Sequence, residues 1–246
     1  MSISVKTSIG SIVALNYKTA EIFNAYGIDF CCKGNKSIEE VVKDKNLNLE
    51  ELIENLDGVL QERKRDHIDF KQWPSDLLID YIEKVHHRYI VQKTPIILQY
   101  LEKVCTVHGT SHPELFLIKD QFSKSAKELS EHMKKEEIIL FPYIRQIIES
   151  SNSGKFHNTP PFGSVQNPIS MMMEEHDIEG ERFRQIASLS NSYISPSDSC
   201  HTYKVCFAML KEFEEDLHLH IHLENNILFP KAAELEKALL TSDTLN

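Results

Sequence analysis

The apolar and polar residues of this chain fall into helical patterns of two sizes. The short ones come first: Ser11 to Tyr26, Ile38 to Lys45 and Leu49 to Lys64, separated by Gly27 and by Lys33-Gly34-Asn35. Asn48, with Glu51 three residues on, reads as the N-cap of the third. The stretch from Asp66 to Pro74, punctuated by Trp73-Pro74, reads as a linker. Four long patterns come after it. The first is predicted over about Ser75 to Val107, with Ser75 as N-cap and a kink at Pro95. The second runs from Ser111-His112-Pro113 to about Ser150, the third from about Asn167 to Leu189, and the fourth from about Ser197 to Leu240. Residues 151–163 and 190–199 are rich in loop-forming residues. Long helices with short connections read as an antiparallel bundle. The expected fold is therefore all-α: a small helical N-terminal domain over residues 1–65, then a four-helix bundle over residues 75–240.

Composition changes this picture little. Few glycines, with many Glu, Leu, Ile and Lys, favour helix over sheet. With 246 residues the chain can bury a core without disulfides. A formal net charge of −10 argues against nucleic acid as a partner. Met1 to Asn16 is polar and lacks an apolar run of signal-peptide length. No stretch approaches the roughly 18 apolar residues of a membrane span. The expectation is a cytoplasmic protein with no membrane partner, and the odd count of five cysteines agrees. The small first domain has limited core of its own, so a homodimer is expected.

The chemistry lies in a phrase that occurs twice. His132-Met-Lys-Lys-Glu136 and His220-Ile-His-Leu-Glu224 each place a Glu four residues after a His, and each continues to an Ile-Leu-Phe-Pro run. Residues four apart share one face of a helix, so each copy aims an imidazole and a carboxylate at one point. The copies fall on the second and fourth long helices; on facing helices they make a dinuclear metal site. The Pro closing each phrase, Pro142 or Pro230, is expected to bend its helix, with the Ile-Leu-Phe run packed inward. The third helix offers His176. The first offers His86 or His87: His86 follows the stripe Leu78, Ile82, Val85 and Tyr89 more closely, but Pro95 disturbs the register, and both stay open. Imidazoles and bridging carboxylates, with no cysteine among them, suit iron or manganese better than calcium. His218 and His222 lie on other faces without a Glu four residues later, and read as outer or surface groups. His108 is either a loop residue or a recruit to an open metal position. Glu128 and Glu175, near His132 and His176, either orient ligands and relay protons or are solvated charge.

Adjacent cysteines in Gly27-Ile-Asp-Phe-Cys31-Cys32-Lys-Gly are the other unusual element. A following helix N-terminus pointed at them would stabilise their thiolates. They read either as a thiol pair that handles iron, a cluster or a redox partner, or as a small buried apolar pair. Cys105, Cys200 and Cys206 read as structural.

Together these motifs resemble the iron–sulfur cluster repair di-iron proteins, in which a small Cys-Cys domain precedes a hemerythrin-like four-helix bundle. The likeness runs from about Thr7 to Ala233, through Gly27 to Cys32, His132 to Glu137, Glu175-His176-Asp177 and His220 to Asn226. It implies two iron ions held by His87, His132, His176 and His220 and bridged by Glu136 and Glu224. His87 is preferred to His86 because the family's ligand lies seven residues after an Asp, here Asp80, and eight before a Pro, here Pro95. The family also has a His at the position of His108. The implied function is repair of iron–sulfur clusters damaged by nitric oxide or oxidants, a stress response in which Cys31 and Cys32 assist iron transfer. The implied partners are iron–sulfur proteins with damaged clusters. Nitric oxide reduction at the di-iron site, or binding and sensing of nitric oxide or oxygen, are the alternatives; whether the protein is an enzyme is left open. Metal loading is expected to weaken on acidification as imidazoles protonate. The chain departs from the pattern in having Lys33-Gly34 after the cysteines and a longer loop between the second and third helices.

Overall fold

The computed structural model of this chain describes residues 3–61, 68–153 and 160–243. Among them there is no strand; a single β-bridge joins Ser8 to Ser37. The predicted helix end at Lys64, the start of the predicted linker and the middle of the 151–163 loop lie outside the described residues. The all-α expectation holds. Contacts divide the chain into two compact units, Met1–Leu78 with Ile221–Asn246, and Ile79–His220.

The first unit contains α1 (Ile9–Leu15), α2 (Thr19–Ala25), α3 (Ile38–Lys45) and α4 (Leu49–Gln61). One helix is expected over Ser11 to Tyr26, but two form. Asn16 takes an extended conformation, its side-chain oxygen accepts from the Lys18 N–H at 3.1 Å, and its carbonyl accepts from the Thr19 hydroxyl at 2.7 Å. Local side-chain bonds of this kind compete with the helix ladder, and here they end it. The α2 helix stops at Gly27, whose φ of +62° suits a residue without Cβ. Gly27 N–H bonds to the Asn24 carbonyl and Ile28 N–H to the Phe23 carbonyl, a Schellman stop that turns the chain into Asp29–Cys32. Ser37 and Glu40 close a capping box on α3, and the Asn48 side chain caps α4 through the Glu50 and Glu51 N–H groups. Ile9, Phe23, Ile28 and Leu56 share this unit's core with Ile227 and Phe229 from the far end of the chain.

The long helices are interrupted in a regular way. The first run comprises α5 (Ser75–Tyr81), a π-helical segment Ile82–His87 and α6 (Arg88–His108). Ser75 opens α5 as its first helical residue rather than as its cap, since the Pro74 carbonyl accepts the Leu78 N–H. The second run is α7 (Glu114–Lys135), a π segment Glu136–Leu140 and α8 (Phe141–Ser153). The third is α9 (Gln166–Leu189). The fourth is α10 (His201–Leu223), a π segment Glu224–Leu228 and α11 (Phe229–Asp243). Phe141 N–H bonds to the Glu136 carbonyl and Phe229 N–H to the Glu224 carbonyl, each five residues back. A proline comes directly after in both copies, where its missing N–H already breaks the ordinary ladder. Leu140 and Phe141 pack inward as expected but Ile139 is exposed, whereas Ile227, Leu228 and Phe229 are all buried.

Within the second unit, the rings of Phe122 on α7, Phe183 on α9 and Phe213 on α10 meet, with Phe213 at 5.2 Å from Phe122 and 5.7 Å from Phe183. Tyr89 of α6 reaches the same Phe213 at 6.0 Å. Each of the four runs thus contributes a ring to one core, and such pairs add about 0.5–1.5 kcal/mol beyond their burial. Among the described residues no helix is long and apolar enough to cross a membrane.

His112, in the turn between α6 and α7, ties that turn to the loop before α10: its Nε2 lies 3.0 Å from Asp198 Oδ2, and its Nδ1 lies 3.2 Å from Glu114 Oε1. The bond to Asp198 raises the His112 pKa and lowers that of Asp198. The raised histidine stabilises the fold below its unfolded value and loses that contribution as pH rises through the folded one; the depressed aspartate does so above its unfolded value, with loss on acidification. The pair therefore acts fully only between about pH 4 and 6.5. Asp198→Asn is expected to lower the urea midpoint at about pH 5.5 and to change it little at about pH 9. An equal effect at both pH values contradicts this.

Candidate metal centre

Five buried side chains of the second unit converge. Glu136 has no exposed surface, and His87, His132, His176 and His220 are each 3% exposed or less. The ligand atoms of His87, Glu136 and His220 all lie within 4.8 Å of one another, as do those of His132, Glu136 and His176. Glu136 is common to both groups. Its Oε2 stands 3.4 Å from His87 Nε2, and its Oε1 stands 3.3 Å from His132 Nε2. The two oxygens therefore face two different imidazoles, the placement of a bridging carboxylate. His132 Nε2 and His176 Nε2 are 3.1 Å apart. Cis donors on an octahedral ion with bonds of about 2.1 Å stand about 3.0 Å apart, close to these separations. His220 lies edge-on to His87 with ring centres 5.0 Å apart. Its helix runs on unbroken, so Glu224 comes one turn later and is also fully buried.

The π segments occur at the residues that carry this chemistry. One ends at His87, one starts at Glu136 and one starts at Glu224. Single π turns are rare and concentrate at functional sites, because the inserted residue re-aims side chains. Here consecutive residues Glu136 and Glu137 both reach His87, one at Nε2 and the other at Nδ1, the latter at 2.7 Å.

A second ring of carboxylates orients the imidazoles. His132 Nδ1 lies 2.8 Å from Glu175 Oε2, and His86 Nδ1 lies 3.0 Å from Asp216 Oδ1. The bond from His132, aided by Lys135 and opposed by burial, holds the Glu175 pKa down at about 2. Ionised, Glu175 only accepts, so His132 Nδ1 donates and Nε2 turns its lone pair inward. The donor set fits a cation: a fully buried carboxylate is costly without positive charge, and neutral imidazole nitrogens with carboxylate oxygens suit a transition metal rather than calcium. A cavity of about 210 Å³ lined by Glu128, Glu131, His132, Glu175, His176 and Glu179 lies beside one group.

The structure draws His87 into the cluster and leaves His86 outside it, on Asp216 and stacked 5.7 Å over His220. It does not bring His108 there. That residue ends α6, 21 residues beyond His87 and roughly 30 Å of helix away, beside Tyr203 and His112. Glu175 bonds a cluster histidine as expected, whereas Glu128 pairs with Arg182. His222, expected in an outer or surface position, is buried in the first unit between Tyr17 and Phe30, and burial lowers its pKa to about 3. Glu137 and Asp216 were not anticipated. The only sequence signals were the second Glu of Glu136-Glu137 and a carboxylate four residues before His220.

In the first unit Cys31 and Cys32 form no disulfide, and their sulfurs lie 3.7 Å apart. Asp29 Oδ1 accepts from the Cys32 N–H at 2.9 Å and from the Cys31 thiol at 3.3 Å. The three side chains offer ligand atoms within 4.8 Å of one another. The next described helix, α3, begins only at Ile38 and is capped by Ser37. The neighbouring Cys32, burial and the Asp29 charge push the Cys31 thiol well above its ordinary range. Cys105 and Cys206 are buried, but Cys200 is exposed and its pKa is lowered by the Tyr203 N–H at the start of α10.

Comparison with known proteins agrees with this geometry. Residues 78–232 match the hemerythrin HHE cation-binding domain, and residues 5–60 match a domain of unknown function (DUF542) that bears the name ScdA_N. A "probable iron-sulfur cluster repair protein" of Haemophilus influenzae is 37% identical over 214 residues, which cover 86% of this chain and 89% of that protein. The "iron-sulfur cluster repair protein ScdA" of Staphylococcus haemolyticus is 32% identical over 213 residues, 87% of this chain and 91% of its own. The "iron-sulfur cluster repair protein YtfE" of Pectobacterium atrosepticum is 32% identical over 226 residues, 92% and 96% of the two chains. Fold and donor set thus define a hemerythrin-like cation-binding protein. Within that class, the chain belongs to the family of iron–sulfur cluster repair proteins.

Glu175→Ala removes the acceptor that orients His132. It is expected to weaken metal binding by about 10–100-fold, read by competition with a chromogenic chelator. An unchanged affinity contradicts the orienting role.

Proposed function

We propose that this protein holds two iron ions and uses them to repair iron–sulfur clusters damaged by nitrosative or oxidative stress in the cytoplasm, by delivering iron to the damaged protein. The observation that carries the reading is the buried carboxylate of Glu136, with one oxygen toward His87 and the other toward His132. In this reading His87 and His220 hold one ion, His132 and His176 hold the other, and Glu136 bridges them. Glu224 supplies the second bridge. Its support is its place one turn after His220, the same interval that separates His132 from Glu136, and its complete burial. Nitrogen and carboxylate donors suit iron or manganese better than calcium, and the names of the relatives favour iron.

The residues divide the work. Glu137 and Glu175 fix the rings of His87 and His132 through Nδ1. Neutral imidazoles bind by a lone pair that a proton can replace, which permits release as well as capture. Phe141 stacks on His87 with ring centres 5.9 Å apart and covers that side of the group. Iron is the cargo, and the recipients are iron–sulfur proteins that have lost it. Cys31 and Cys32, with Asp29 beside them, offer a soft donor group for the transfer or for docking the recipient.

His132→Ala with Glu136→Ala removes donors from both groups. Iron content by plasma emission spectrometry is expected to fall from about two per chain to less than about half of that. Reactivation of a nitric-oxide-damaged cluster enzyme is expected to fall with it, and undiminished iron defeats the assignment. Cys31→Ser with Cys32→Ser is expected to keep the iron and slow the reactivation. Full-rate repair by that variant removes the thiols from the scheme.

A further inference from the structure

The π segment Glu224–Leu228 does two things in the first unit. It begins with Glu224, and its next two residues grip the loop of the thiol pair. Asn225 Nδ2 donates to the Cys31 carbonyl at 3.4 Å. Asn226 Nδ2 donates to the Phe30 carbonyl at 3.3 Å and to the Cys31 carbonyl at 3.2 Å, and lies 3.2 Å from His222 Nδ1. On its other side, Asn226 Oδ1 occupies the space that a Cβ on Gly10 or on Gly34 would need. The Gly10 N–H in turn bonds to the Gly34 carbonyl at 2.7 Å. Two residues without side chains therefore form a socket that one amide fills. Nothing in the metal chemistry requires this amide, and nothing in the packing of an ordinary helix requires two adjacent asparagines to face a loop carbonyl some 195 residues away in the chain.

We propose that Asn226 couples the metal centre to the thiol pair, so that filling the centre slows reaction at Cys31 and Cys32. The inference rests on the reading of Glu224 as a metal ligand. Its physical basis is the segment itself. A π turn is a one-residue register shift, and its loss rotates the downstream residues by about 100° on a 3.6-residue helix. Glu224 opens the segment, and its carbonyl accepts the five-residue bond from Phe229 that defines it. A cation on Glu224 holds that register, and with it the clamp on the Cys31 carbonyl. The metal thus acts on the thiol loop through the backbone register of one helix, without touching either sulfur. Asn226 is a positioning residue in this scheme and touches neither the ion nor the reacting sulfur.

The test is peptide-resolved alkylation of the full-length protein by N-ethylmaleimide, metal-free and after anaerobic loading with Fe(II). In the wild type, Cys31 and Cys32 are expected to react at least about fivefold more slowly in the loaded protein, the lower end of couplings between sites. Asn226→Ala is expected to take up iron to the same stoichiometry but to react at the fast, metal-free rate in both states. Gly10→Ala, which places a methyl against the same amide, is expected to do likewise and decides the matter should Asn226→Ala fail to fold. Equal rates in a wild type that does take up iron overturn the coupling alone, as does a fivefold gap that survives in a folded variant of either kind. A wild type that takes up no iron overturns the metal reading, and the coupling with it.

Discussion

A carboxylate with no contact with solvent is the constraint around which this bundle is arranged. Leaving Glu136 charged inside an apolar core costs several kcal/mol unless positive charge compensates it. Its two oxygens face imidazoles from two different helices, His87 and His132, at 3.4 and 3.3 Å. Neutral imidazoles alone do not cancel a full charge. In the proposed centre, cations shared between the carboxylate and the ring nitrogens supply that charge. The aromatic core at Phe122, Phe183 and Phe213 gives the bundle its rigidity. The polar cluster gives it a purpose that apolar packing would not need.

Around that centre, charge is layered outward. Nitrogen donors face inward, and Glu137, Glu175 and Asp216 take the Nδ1 side of three histidines. Lys135 then balances Glu175 near the surface. Each layer fixes the orientation of the one within it. The π segments serve the same end, since each changes the helical register where a ligand has to be aimed. In the first unit, two asparagines bond the carbonyl of Cys31, and one of them fills the space beside two glycines.

Much of this was legible in the chain. The repeated His-x-x-x-Glu phrase marks the two helices that carry the pairs, because i,i+4 spacing translates directly into a shared face. Long apolar periods locate the four runs between α5 and α11 to within a few residues, but not the π segments inside them. The choice of His87 over His86 was not available from local phase: the apolar stripe pointed to His86, and a π turn of Ile82–His87 shifts the register that the stripe assumes. Pairings distant in sequence, such as Glu175 with His132 and Asn226 with Cys31, leave no periodic trace. His108 stayed open between a loop residue and a recruit to the metal, and the structure sets it at the end of α6 beside Tyr203. The break at Asn16 escaped because a side chain's bond to its own backbone is a matter of one residue, invisible to an average over a window.

The claim on which everything else rests is that one carboxylate spans two ions. X-ray absorption at the iron edge of the fully loaded protein addresses it without reference to activity. A nitrogen- and oxygen-only coordination sphere with an iron–iron scattering distance of about 3.5–4 Å, lost in Glu136→Gln, is the predicted result. Isolated iron sites with no metal–metal scattering, or sulfur in the coordination sphere, would contradict it.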